Sequence, residues 1–202
     1  MINIFKKIIN PKKKISVKEK SFLEIEKHTK VSELFKTISN YNDSSEIRYV
    51  GGCVRKILNN EKIDDIDLAT NIHPKEVKEC LKNNNIKFYE TGIDHGTVTA
   101  NIEKNNFEIT SLRKDISTDG RHAIVEFTKD WNEDASRRDF TINSIYSDKE
   151  GNLFDPNDGV KDLKNGIVCF IGDPEKRIRE DFLRILRYVR FFLNYSKTKH
   201  QS

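Results

Sequence analysis

Cysteine is scarce in this 202-residue chain. Its three thiols, Cys53, Cys80 and Cys169, are odd in number and far apart, and no Cys-x-x-Cys or Cys/His spacing accompanies them. That excludes a disulfide framework and a zinc ribbon, and it fits a reducing compartment with buried or idle thiols. The expected location is cytoplasmic, with a lysine-rich organellar presequence left open. No apolar run approaches a membrane span, so no membrane partner is expected. Met1–Asn10 is too short, and too interrupted by Lys6-Lys7, for a secretory signal. There is no internal repeat. The net charge of +4 is small, but its placement is uneven: residues 1–20 carry seven Lys against one Glu, and residues 174–202 carry eight Lys or Arg against three acids. Two basic ends suit a polyanionic partner, although a solvated tail and an ordinary charged helix account for them equally well. Hydrophobic content is 36% and charged content 34%. Ile, Leu, Val and Phe are numerous enough for a core, which excludes global disorder. The length allows one large domain or one and a half small ones.

What is present is concentrated between Tyr49 and Asn71. Ile47, Tyr49 and Val50 read as a short strand, Gly51-Gly52 follows, and Cys53–Asn59 reads as a helix with Val54, Ile57 and Leu58 inward. Two glycines between strand and helix let the backbone approach a ligand closely, and they leave the first helical N–H groups pointing outward, which suits phosphate. Arg55, in the first turn, is placed to add a bidentate phosphate contact. Asp65 and Asp67 follow, two residues apart, so on a strand they share a face. Paired carboxylates on a rigid strand favour a hard cation such as Mg²⁺, with phosphate oxygens completing its shell. Either feature alone is commonplace: a Gly-Gly is usually a tight turn, and an Asp-x-Asp usually a solvated strand end. Their conjunction points to nucleotidyl transfer. A calcium loop needs Gly at its sixth position, where Thr70 stands. An aspartyl-phosphate phosphatase needs an apolar strand before the first Asp, and Glu61-Lys62-Ile63-Asp64 is not one.

Gly51-Gly52-Cys53-Val54-Arg55 with Asp65-Ile66-Asp67-Leu68-Ala69-Thr70 resembles the signature of the class II tRNA nucleotidyltransferase (CCA-adding enzyme) and bacterial poly(A) polymerase family, within the polymerase-β-like nucleotidyltransferases. One departure stands out: the family pattern has Asp after the Arg, and this chain has Lys56. The resemblance covers residues 45–195. It implies an α/β (α+β) fold with a small mixed, mostly antiparallel sheet backed by helices and followed by a helical neck. The expected division is a basic leader at 1–20, a catalytic head at 21–150 and the start of the neck at 151–202.

Within that frame, the chain reads in order as follows. Ser21–Asn40 has apolar residues at helical spacing and is expected to be one helix over the sheet. Pro74 opens a helix whose inner face is Val77, Cys80 and Leu81. Ile86–Tyr89, Thr97–Ile102 and Phe107–Leu112 are strands, the last two forming a hairpin. His95 is expected to be a structural hydrogen-bonder. Glu108 resembles the family's third carboxylate, with Asp65 and Asp67. Lys114–Asn132 is polar and aperiodic and resembles the family's flexible loop. Glu133–Tyr146 is expected to be a helix; in it, Arg137-Arg138-Asp139-Phe140-Thr141-Ile142-Asn143 resembles the family's second motif. That implies Arg138 on phosphate and Asp139 with Asn143 on the ribose. Asp155–Leu163 resembles a structural motif, and Gly166–Gly172 reads as a strand. Pro174–Asn194 is expected to be the longest helix, with Ile178, Phe182, Ile185, Leu186, Val189, Phe192 and Leu193 as its packed face. Asp181, Arg184 and Arg187 match the family's nucleobase-reading motif.

The expected function is Mg²⁺-dependent, template-independent addition of CMP and AMP from CTP and ATP to the tRNA 3′ end. The competing readings are a poly(A) polymerase, a partial CC- or A-adding enzyme, and a catalytically silent RNA-binding module. A chain of this length is expected to be a fragment or a minimal enzyme with a weak tRNA grip, of unspecified oligomeric state.

Overall fold

The computed structural model describes residues 17–119 and 122–197. A seven-stranded sheet organises it. In chain order the strands are β1 (Ile47–Val50), β2 (Asp67–Thr70), β3 (Lys87–Gly92), β4 (Thr97–Ile102) and β5 (Asn105–Ser111), then β8 (Tyr146–Ser147) and β9 (Leu153–Phe154). The spatial order is β3-β4-β5-β2-β1-β8-β9. All neighbours are antiparallel except β2 and β5. This is the mixed, mostly antiparallel sheet the resemblance implies. A separate hairpin pairs β6 (Arg113–Asp119) with β7 (His122–Phe127).

Alternation along the strands decides the two faces. Ile47, Tyr49, Leu68, Val98, Phe107 and Ile109 point into the main core. Helices α1 (Val17–Thr29), α2 (Ser32–Ser39), α3 (Gly52–Leu58) and α4 (Pro74–Asn83) contribute to that core through Phe22, Leu34, Ile38, Val54, Ile57, Val77 and Leu81. The opposite face carries a smaller cluster of Val50, Ala69, Leu112, Trp131 and Tyr146. A third cluster joins Phe140 and Ile142 to Leu163 of α6 (Gly159–Asn165) and Phe191 of α8 (Leu183–Tyr195).

Several expectations are corrected. Ser21–Asn40 is two helices, because Lys30 takes a left-handed φ of 54° between them. The basic leader lies outside the described residues as far as residue 16, and α1 already begins at Val17. The polar stretch expected to be a loop from Lys114 is largely the β6–β7 hairpin; main-chain ladder bonds serve a polar strand as well as an apolar one. Gly120 and Arg121 lie outside the described residues. The single helix over Glu133–Tyr146 is α5 (Trp131–Ser136), then a 3₁₀ turn at Thr141–Asn143, then β8. Phe140 is extended (φ −124°, ψ 149°), which ends any helix before the 3₁₀ turn, and it makes an isolated bridge with Phe170. That bridge is the only pairing within the supposed strand Gly166–Gly172 among the described residues.

The helix over Pro174–Asn194 is also two: α7 (Pro174–Glu180) and α8. Asp181 is extended (φ −156°, ψ 106°) and its carboxylate accepts the Leu183 N–H at 3.0 Å, a local bond that competes with the helix. The stripe expected to be packed is largely open, with Phe182 70%, Leu186 68% and Leu193 77% exposed. The buried residue of α8 is Phe191, packed on Phe140 with centroids 5.4 Å apart.

Candidate active site

The site forms where β1 runs through two glycines into α3. Gly51 has φ 66° and ψ −117°, a conformation that only glycine adopts without strain. A side chain on it would lie 3.6 Å from the Asn143 carbonyl and 3.7 Å from Arg138 Nη1. A side chain on Gly52 would lie 3.8 Å from Asp67 Oδ2. The glycines therefore bring Asp67, Arg138 and the 139–143 turn up to bare backbone.

Asp67 opens β2 and stands beside Glu108 in the parallel β2–β5 register, so both side chains leave the same face of the sheet. The structure thus brings Glu108 to Asp67. Asp65 precedes the strand instead of lying on it, and it is exposed. Burial, then Glu108, raises the Asp67 carboxyl above the usual carboxylate range; Asp65 adds to this, while Arg138 and Arg55 oppose it. None of the three carboxylates accepts a hydrogen bond among the described residues. Half-buried Asp67 and its strand neighbour Glu108, with their acceptors unused, offer oxygens of the kind a hard divalent cation takes. Among the described residues no three Asp, Glu, His or Cys side chains close into a complete ligand set, so ligand oxygens would have to finish the shell. A cleft of about 610 Å³ has Asp64 and Asp65 on its wall, beside Ile25 of α1 and Phe107 of β5; Asp67, Glu108, Gly51, Gly52 and Arg138 lie outside that wall.

Arg138 is held from behind. Its Nε and Nη2 donate to Asp134 Oδ2 at 3.2 and 3.0 Å, and Nε also to the Tyr146 hydroxyl at 3.0 Å. Arg137 takes the other Asp134 oxygen at 2.8 and 2.9 Å, and Tyr146 donates to Asp134 at 2.7 Å. Burial alone would raise the Asp134 carboxyl, but the Arg138 and Arg137 guanidiniums outweigh it and hold the group well below the usual range. This leaves Arg138 Nη1, the nitrogen nearest Gly51, without a hydrogen bond among the described residues. Sequence reasoning missed Asp134 and Tyr146. The i, i+3 and i, i+4 spacing from Asp134 to Arg137 and Arg138 was the available signal.

Arg55 departs from expectation. It is buried, its Nη1 donates to Asn143 Oδ1, and its guanidinium lies 4.7 Å from the Phe191 ring and 4.9 Å from that of Tyr195. The reason is its position at the fourth residue of a short helix pressed against α8, where aromatic faces attract the planar cation. It holds Asn143 in place instead of reaching outward. Asn143 in turn donates to Asp139 Oδ1 at 3.0 Å, and Asp139 Oδ2 pairs with Arg187 at 2.5 Å. Asp139 and Asn143 therefore do meet, through a 3₁₀ turn and not along one helix face.

The residues expected to read the base are not gathered on one face. Asp181 accepts the Leu183 N–H in the break between α7 and α8, while Arg184 donates to Glu180 Oε2 and to the Arg177 carbonyl, both at 2.7 Å. Arg177, which sequence reasoning passed over, donates to the carbonyls of Arg137 and of Arg138, the latter at 2.6 Å, and ties α7 to the turn that carries Asp139. The His95 side chain is exposed, and it is the main-chain carbonyl that serves, accepting from Arg113.

Residues 47–169 match the family described as the Poly A polymerase head domain. The human protein named CCA tRNA nucleotidyltransferase 1, mitochondrial, is 51% identical over 151 residues, which are 74% of this chain and 35% of that protein. The CCA-adding enzyme of Lactobacillus helveticus is 43% identical over 148 residues, 72% of this chain and 36% of that one. The chain thus spans about a third of the length of these curated relatives. Among solved structures, the Bacillus stearothermophilus CCA-adding enzyme in complex with CTP superimposes with a TM-score of 0.71 at 33% identity, covering 83% of this chain and 40% of that one. A tRNA nucleotidyltransferase complexed with a primer tRNA and an incoming ATP analog gives a TM-score of 0.62 at 29% identity, covering 82% and 46%. With the glycine turn, the paired strands and the 137–143 segment all inside the matched span, this chain belongs to the Poly A polymerase head-domain family.

Proposed function

We propose that this chain is the catalytic head of a CCA-adding tRNA nucleotidyltransferase, joining CMP and AMP from CTP and ATP to a tRNA 3′ end. The observation that carries the reading is the adjacency of Asp67 and Glu108 to the side-chain-free backbone of Gly51-Gly52 and the open nitrogen of Arg138, with the Asp65 charge close enough to act on Asp67. The names of the relatives support the choice of substrate. We take residues 21–150 as the head and 151–202 as the start of the neck.

Asp65 and Asp67 would hold Mg²⁺, which when bound activates the attacking hydroxyl and neutralises the leaving pyrophosphate. Gly51, Gly52 and Arg138 bind and orient the triphosphate, and the rigid mount of Arg138 on Asp134 means little reorganisation is needed there. Asp139 and Asn143 face the ribose, with Arg55 fixing Asn143. Asp181, Arg184 and Arg187 read the base; for this Asp181 and Arg184 must exchange their present partners for the amine donor and ring acceptor that C and A share. Among the described residues no helix is long and apolar enough to cross a membrane. We take the compartment to be the cytoplasm; the human relative is named mitochondrial, so an import assay with isolated mitochondria is the check.

The test is incorporation of labelled CTP and ATP, separately and together, onto tRNA lacking its CCA, with an Asp65→Ala control. Two C and one A, lost in the variant, support the reading. The family's own description favours one rival, poly(A) synthesis, and runs of A would establish it. RNA binding that survives Asp65→Ala, with no incorporation under any condition, would leave a silent RNA-binding module.

A further inference from the structure

Lys56 stands where the family pattern has Asp, and the structure shows what it does there. It sits in the last turn of α3, and its ammonium lies 2.7 Å from Asp64 Oδ2. Asp64 immediately precedes Asp65. The segment 61–66 has no regular secondary structure; Ile63 and Ile66 pack against the core, and polar contacts fasten it at two further points. At the first, the Glu61 N–H donates to the Lys56 carbonyl at 2.8 Å, and the Glu61 carboxylate accepts from the Tyr195 hydroxyl at 3.0 Å. The second is the Lys56–Asp64 pair.

The two carboxylates of the pair read as cation ligands are held very differently. Asp67 is fixed by the ladder of β2. Asp65 is exposed, outside the strand and without a hydrogen bond among the described residues. Its placement depends on its neighbours: Ile66 packed against the core on one side, Asp64 on the other. The geometry points to Lys56 and Asp64 as a positioning pair that sets Asp65 for divalent-cation binding. The inference rests on Asp65 and Asp67 being cation ligands.

Charge alone makes the opposite prediction for one of the two partners. An ammonium near Asp65 repels a cation, and pairing Asp64 removes a third nearby carboxylate. If only charge mattered, Lys56→Ala would tighten cation binding and Asp64→Asn would loosen it. A positioning pair is lost by either change. Both single variants should then bind more weakly, by about two- to five-fold for a pair this open to solvent. The double variant should be no worse than either single, since the pair can be broken only once.

The test uses the 202-residue chain without nucleotide, titrated with Mn²⁺ while free Mn²⁺ is followed by electron paramagnetic resonance. Lys56→Ala, Asp64→Asn and the double variant are each expected to weaken binding about two- to five-fold. The exchange Lys56→Asp with Asp64→Lys restores the pair and is expected to return affinity to within about two-fold of the parent. Because the pair is on the surface, all four should melt like the parent, and the exchange variant separates lost pairing from lost structure. Tighter or unchanged binding in Lys56→Ala overturns the inference, as does a failure of the exchange to rescue. Asp65→Ala is the independent control: if it binds Mn²⁺ like the parent, the cation-ligand reading itself fails, whatever Lys56 does.

Discussion

The glycine turn with its strand and the α7–α8 region are both rich in charge, yet they are built in opposite ways. In the first, Tyr49, Val54, Leu68 and Ile109 are almost wholly buried, and the functional groups stand on a scaffold with little freedom. In the second, no residue of α7 is buried and only Phe191 of α8 is. Its arginines are held by carboxylates and carbonyls: Arg177 and Arg184 on Glu180, Arg187 on Asp139. The first region is fixed by packing and the second by exchangeable polar contacts. Under the function proposed above, the rigid region would carry the phosphate cradle and the polar one would adapt to two different bases.

The largest effect should come from the buried mount between the two regions. Asp134→Ala leaves Arg137 and Arg138 facing each other without their carboxylate, and is expected to destabilise the fold by about 3–5 kcal/mol in urea unfolding. The pH dependence follows from the same group. Its folded pKa is depressed, so its contribution is fully present above the ordinary aspartate value near 3.9 and is lost as pH falls toward the folded value. The parent's urea midpoint should therefore drop below about pH 4, and Asp134→Asn should remove that part of the slope. A parent and variant with the same acid profile would refute the assignment.

Next come the two faces of α8. Phe191→Ala should cost about 3–5 kcal/mol, since the ring packs on Phe140 and under Arg55. Leu186→Ser, on a side chain 68% exposed, should change stability by less than about 0.5 kcal/mol. Equal costs would mean that the open stripe is covered after all. The adjacent glycines give a smaller contrast: Gly51→Ala is expected to cost about 1–3 kcal/mol through its backbone conformation. Gly52→Ala, in helical backbone with ordinary contacts, should melt like the parent while weakening nucleotide binding by covering the bare backbone that a phosphate would approach. The smallest effect is chemical. Burial pushes the Cys53 and Cys80 thiols up to about 11, whereas Cys169 is exposed. In native protein at pH 8, a thiol reagent followed by mass spectrometry should label Cys169 first, and Cys53 and Cys80 only on unfolding.

The same contrast explains what was legible in the sequence. Gly51-Gly52 is a local signal, and the turn it specifies is where it indicates; the Asp65/Asp67 spacing predicted a shared strand face, but β2 begins only at Asp67. The faces of β5 could be read by alternation, which placed Glu108 opposite Phe107 and Ile109. Its approach to Asp67 depends on the parallel β2–β5 pairing, a long-range fact that no local pattern contains. Periodicity reported correctly that Phe182, Ile185, Leu186 and Val189 are apolar at helical spacing, but it cannot report whether anything covers them. It also could not reveal the breaks at Lys30 and Asp181, where one backbone conformation ends a pattern that otherwise continues. Arg55 was misjudged for a related reason. The aromatic rings that draw it inward, Phe191 and Tyr195, come from a helix well over a hundred residues later.

The measurement that bears most directly on the account is CTP binding to the 202-residue chain by isothermal titration calorimetry, with and without a divalent cation, in the parent and in Asp67→Asn. The account predicts cation-dependent binding in the parent and its loss in a variant that still melts like the parent. A folded parent that binds no CTP, or an Asp67→Asn variant that binds it equally well, would contradict the assignment of this turn and strand as a nucleotidyl-transfer site.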